Sequence, residues 1–218
     1  MPATSSAVLW YTTRATGIVA LVLLSTTMVL GILTAGRAKS RGWPAFAQAE
    51  LHKRVSLLAM VFLGLHVLTA VVDTYVSVGW ASIVVPFASP YRPLWTGLGT
   101  VAVDLLAAVA VSSAVRRHIS ARTWRGIHWL AYGSWPVAMA HSLGEGTDAS
   151  RLWMDALAAL CAAAVLGVLA WRVADHRRAR ERAARVGAST RAVVPSAPMA
   201  ARPRSAPGTT RLLEKERP

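Results

Sequence analysis

The stretch Arg125-Gly-Ile-His-Trp-Leu-Ala-Tyr-Gly-Ser-Trp-Pro-Val-Ala-Met-Ala-His141 decides how this chain is read. It has the composition of a membrane helix and carries a histidine near each end, His128 and His141. An earlier apolar segment, residues 51–72, holds a second pair, His52 and His66, at nearly the same spacing. An imidazole in hydrocarbon is costly unless it has a partner, so histidines inside apolar segments point to a functional site. Two pairs at matched depth point to something held between two helices.

The composition supports a membrane setting. Apolar residues make up 54% of the 218, charged residues only 16%, and long uncharged runs recur. The net charge of +14 would suit a nucleic-acid partner if it lay on one folded face. Instead, twelve Lys/Arg against four Asp/Glu follow position 171, and most of the remaining excess lies in two short loops between apolar runs. That is how cytoplasmic loops and a basic tail look, with anionic lipid headgroups as the tail's natural contact. Nucleic-acid binding is not expected. The single cysteine, Cys161, lies inside an apolar run, so neither a disulfide framework nor a cysteine-based metal motif is available.

Taken in order, the chain gives an all-α membrane protein of about five spans. Residues 15–35 are free of charge and would reach about 31 Å as a helix, enough to cross the hydrocarbon. Lysines and arginines follow this run rather than precede it, apart from Arg14, which places the N-terminus outside and retains the segment as a helix. The second span covers 51–72. Residues 73–93, with Trp80, Pro86, Pro90, Tyr91 and Pro93, are too interrupted to span and too apolar for a plain loop, so an interfacial or re-entrant external segment is expected. The third span covers 94–115 with Asp104 inside it. The fourth covers 126–143, after an arginine-rich cytoplasmic loop, and the fifth covers 152–171. The expected division is a membrane domain at 1–172 and a basic cytoplasmic tail at 173–218, disordered beyond Gly187.

With five alternating spans, the second and fourth run in the same direction. His52 and His128 then lie near the cytoplasmic face, His66 and His141 near the outer one. The two levels are about 20 Å apart along each helix. Flat cofactors held by one nitrogen from each helix fit that spacing, and haem iron with two axial imidazoles is the first candidate. The angles are less tidy: on an ideal helix His52 and His66 share a face, whereas His128 and His141 stand about 140° apart. A kink or irregular turn is therefore expected around Gly133 and Pro136, since proline removes a backbone hydrogen bond.

The spacing His52-x13-His66 with His128-x12-His141, and the phrases Trp124-Arg-x-x-His128-x-x-Ala-Tyr132 and His141-x-x-Gly144, resemble the ferric reductase-like transmembrane domain. That superfamily includes ferric reductases, NADPH oxidases and the haem-binding membrane subunit of bacterial periplasmic methionine-sulfoxide reductase. The resemblance covers roughly residues 10–155. It implies two b-type haems passing electrons across the plasma membrane, the inner one on His52 and His128, the outer one on His66 and His141. No Gly-x-Gly-x-x-Gly opens a dinucleotide fold, so the expected donor is a separate cytoplasmic reductase or membrane quinol, with an external acceptor of unknown kind.

Other residues carry weaker signals. Arg14 and Arg92 near the outer face, and Arg54 and Arg125 near the inner, with Lys53 and Arg122 beside them, are candidate partners for haem propionates. Positive-inside topology explains the inner cations equally well. His118 and His176 sit among arginines outside the spans and carry no site. The competing reading is a transition-metal transporter or sensor using the four histidines directly. Such sites usually add carboxylate or thiolate ligands, and none lies within a turn of His66 or His141.

Overall fold

The computed structural model describes residues 3–35, 44–73, 78–145 and 152–193. Six α-helices follow one another: α1 (Ala3–Ala35), α2 (Ala45–Val72), α3 (Pro93–Ala114), α4 (Ala121–His128), α5 (Leu130–Glu145) and α6 (Leu152–Val193). Short 3₁₀ turns occupy Trp80–Ile83 and Arg116–His118, and no strand occurs among the described residues. By contacts the chain divides into Met1–Ala174 and Asp175–Pro218.

Long runs of Ala, Leu and Val favour helix where no water competes for the backbone. The hydroxyls scattered among them bond back along their own helix: Thr12 to Val8, Ser25 to Leu21 and Thr34 to Leu30 on α1, each at 2.7–2.8 Å. A serine or threonine so satisfied can face lipid at little cost. Helix starts are equally local. Pro93 opens α3, where its missing N–H is not needed, and Ser120 caps α4 by accepting from the Thr123 backbone N–H at 3.1 Å.

Among the described residues four helices are long and apolar enough to cross a membrane: Ala7–Ala35, Phe46–Val72, Pro93–Ala114 and Leu152–Val186. Only 6% of the most apolar part of α2 is buried inside the protein. A helix that is apolar on its outward face needs lipid around it, so this is a multi-pass membrane protein. The fourth span expected at 126–143 is not among them: that stretch forms two shorter helices. A turn at Trp129 separates α4 from α5, and neither piece alone is as long as the other four.

Helix α1 lies antiparallel along α2, Gly17 meeting His66 and Gly31 meeting His52. Helix α3 lies antiparallel to α5, with Gly99 against His141 and Gly144 against the Trp95 indole. The two pairs join at the middle. Leu24, Ala59 and Leu106 form one buried cluster, Leu21, Met139, Ala158 and Cys161 another, and Trp135 packs against both. Trp135 is pinned there by an Nε1 hydrogen bond to Ser25 Oγ at 3.0 Å. Helix α6 is tied to α1 by Arg172, whose Nη1 donates to the Ile32 carbonyl at 2.6 Å. A cation on that carbonyl serves one of the acceptors a helix leaves open in its last turn.

The segment after α2, as far as it is described, folds onto the bundle. Ser82 and Ser89 are buried, and Thr100 Oγ1 of α3 donates to the Ser82 carbonyl at 2.6 Å. Phe87 takes a left-handed φ of 64°, and its ring lies where a side chain on Gly97 would be. A bulky residue holds such a conformation only where packing dictates it. Between the second and third spans the described residues 78–92 thus form no long helix and pack on the bundle; residues 74–77 lie outside the described set, as does the tail beyond Val193. Helix α6 continues six residues past Gly187, where disorder is expected from composition.

Candidate functional site

The four histidines come together as two pairs. The ring centres of His52 and His128 are 6.3 Å apart, those of His66 and His141 6.4 Å, and in both pairs the ring planes cross at 71°. They are named inner and outer here, after the orientation expected from the charges. Two imidazoles bound on opposite sides of one metal ion, each nitrogen about 2 Å from it and each ring centre about 1.1 Å behind its nitrogen, stand roughly 6.3 Å apart. Both observed separations match that figure.

The outer pair is held by main chain. His66 Nδ1 donates to the Thr13 carbonyl and His141 Nδ1 to the Trp95 carbonyl, each at 2.8 Å. With the proton on Nδ1, the Nε2 lone pair is free to bind metal, and the carbonyl fixes the ring's orientation. A glycine one turn after each carbonyl makes the approach possible. A methyl group on Gly17 would lie 2.9 Å from His66, and one on Gly99 2.8 Å from His141. The inner pair repeats this half-way. Gly31 faces His52, with room for a methyl group only at 3.3 Å, and the Thr27 backbone is beside the ring. Yet the Nδ1 atoms of His52 and His128 both lack a hydrogen bond of full geometry. His128 is instead stacked on Trp124, ring centres 4.8 Å apart.

Space opens on either side of the outer pair. A cavity of about 270 Å³ lies toward α1 and α6, another of about 110 Å³ toward α2 and α3, and both are lined by His66, His141, Leu24, Leu63 and Ala138. The larger one carries Arg14, Asp73 and Glu145 on its wall. A flat apolar group centred on the two imidazoles would reach into both spaces.

The donor set sharpens this. Among the described residues no group of three or more His, Cys, Asp or Glu is placed to hold a metal ion. Each pair offers two nitrogens, too few for a bare transition-metal ion, which takes four or more ligands. Two nitrogens complete an iron whose other four donors belong to a macrocycle, so the residues fit haem.

The propionate candidates separate. Arg14 lines the outer cavity, its guanidinium 4.9 Å from the Trp10 ring centre and 5.9 Å from that of Trp153. Arg92 is exposed and donates to the Glu145 carbonyl at 3.4 Å. Arg54 is engaged with Glu50 one turn away at 2.8 Å. Arg125 lies exposed one turn before His128.

One expectation is corrected. Helix α5 runs unbroken through Pro136, and the irregular turn lies at Trp129. There Trp129 N–H reaches both the Arg125 and Gly126 carbonyls at 3.1 and 3.3 Å, and Tyr132 N–H reaches the Trp129 carbonyl at 3.0 Å. Proline removes the bond to the carbonyl four residues before it, here that of Tyr132, three residues past this turn. The tighter i to i+3 bonds at Trp129 wind the chain further per residue, the sense needed to bring His141 round to the face of His128.

Charge and length could not have pointed to Gly17, Gly31, Thr13 or Thr27. Their own spacing could have: Thr13 and Thr27, like Gly17 and Gly31, are separated by the same interval as His52 and His66.

Fold and site together define a helical membrane protein with two stacked imidazole pairs. Residues 16–139 match the family of the ferric reductase like transmembrane component, and the chain belongs to that family. The match includes His52, His66 and His128 and stops just short of His141. Neither the curated proteins nor the solved structures returned a match.

Proposed function

We propose that this chain carries electrons across the membrane through two bis-histidine b-type haems, as the membrane subunit of a two-component reductase. The observation behind it is the doubled geometry: two imidazole pairs at 6.3 and 6.4 Å with the same crossing angle. Haem iron, when bound, supplies reversible one-electron chemistry.

The chain's own part is to hold and insulate. His66 and His141 present Nε2 because their Nδ1 protons are committed to carbonyls. Leu24, Leu63 and Ala138 exclude water from the outer pair, and the two-cluster core around Trp135 separates the levels. Arg14 is placed for a carboxylate at the outer rim. The cations Lys53, Arg54, Arg116, Arg117, Arg122, Arg125 and Arg172 lie on the side of His52 and His128, which supports a cytoplasmic reading of that end. The donor in this reading is a separate cytoplasmic reductase or membrane quinol, since no Gly-x-Gly-x-x-Gly opens a dinucleotide fold in this sequence, and the acceptor lies outside.

Vesicles with trapped ferricyanide test this reading. Dithionite added outside should bleach the ferricyanide when the wild-type chain is present, and only at the background rate with His66→Ala. Equal rates for the two proteins would overturn it.

A further inference from the structure

The two imidazole pairs are held by different means. At the outer level both rings are fixed by backbone, through the Thr13 and Trp95 carbonyls and the close approach of Gly17 and Gly99. At the inner level His128 has no such anchor. Its Nδ1 is buried without a hydrogen-bond partner, and Gly126 on the same helix has nothing within 4 Å of a methyl group built on it.

Side chains stand in for the missing backbone anchor. The Trp124 indole lies 4.8 Å from the His128 ring, centre to centre, with 25° between the planes. The Arg116 guanidinium sits 4.2 Å from the indole centre, and Trp124 Nε1 reaches Ser113 Oγ at 3.4 Å. Stacking of residues four apart on a helix is ordinary. Here, however, the indole is itself held from outside α4, by Ser113 at the end of α3 and Arg116 in the 3₁₀ turn that follows. A guanidinium over an indole face is a favourable contact in its own right.

We infer that Trp124 is the positioning residue for the inner imidazole pair, with Arg116 and Ser113 as its clamp. The inference rests on the proposed bis-histidine reading. It makes the inner level the adjustable one: His128 is aimed by side chains of α4, of the end of α3 and of the turn between them, the outer ligands by main chain.

The test uses the full chain in detergent, saturated with haem and then titrated. Haem bound per chain is followed together with the electron paramagnetic resonance signals of the two low-spin sites. Trp124→Ala should weaken haem retention at one site by about 10-fold, the lower end for loss of an orienting group behind a metal ligand, and shift that site's signal alone. Trp124→Phe, which keeps a stacking ring, should restore most of it. Arg116→Gln should fall between. Loss of both signals together in Trp124→Ala and Arg116→Gln, or no change in either, would overturn the inference. A wild-type chain without any low-spin haem signal would remove it along with the reading beneath it, whereas two normal wild-type signals unmoved by these variants would sink this inference alone.

Discussion

At Gly17 and Gly99 the outer site has no room for one added carbon. Alanine at either position would put a methyl group 2.9 or 2.8 Å from an imidazole atom, so the ring must turn and its Nδ1–carbonyl bond must lengthen. Overpacking of this kind costs about 1–3 kcal/mol. Gly17→Ala and Gly99→Ala should each lower the thermal midpoint and deplete the outer haem, read from the reduced absorption band. Gly133→Ala, where nothing lies within 4 Å, should do neither. The histidines were legible in the sequence because a titratable ring in an apolar run demands a reason. Gly99 was not, because glycine is common in membrane helices and only the ring packed on it reveals its purpose, whereas Gly17 shares with Gly31 the interval that separates His52 from His66. Arg14 was legible as a cation on the side that topology disfavours, and it does line the outer cavity.

Helices carry their signals less locally. The mismatch between a thirteen-residue spacing and the helical period announced an irregularity between His128 and His141, but it lies at Trp129 and not around Gly133 and Pro136, where it was expected. Proline still removes the backbone bond to the Tyr132 carbonyl, three residues beyond that turn. Pro136→Ala should therefore give a more regular helix whose thermal midpoint does not fall, yet which binds less haem, since His128 and His141 unwind from a common face. Unchanged haem content in that variant would show that the turn does not depend on the proline. Between the levels, Ser25→Ala leaves the Trp135 N–H without its acceptor. Interhelical hydrogen bonds in bilayers are worth about 0.6 kcal/mol and rarely more than 1.7. A small loss of stability with full haem content is the expected outcome, checked by unfolding in detergent and by absorbance.

Over the whole molecule, composition and charge-free run lengths were enough to establish a helical membrane protein, because hydrocarbon tolerates few other structures. Antiparallel pairing of α1 with α2 and of α3 with α5 was not legible. It depends on which small residues meet which rings, and every span is apolar on more than one side. The four histidines all lie before Asp175, so removing residues 187–218 should leave the haem spectrum intact. The central claim is two bis-histidine haems in one bundle, and iron and haem counted per purified wild-type chain test it most directly. The account predicts two of each with a low-spin b-type spectrum, falling to one in His66→Ala and to one in His128→Ala, each variant losing a different site. A wild-type count of zero, or a count that both variants leave unchanged, would contradict it.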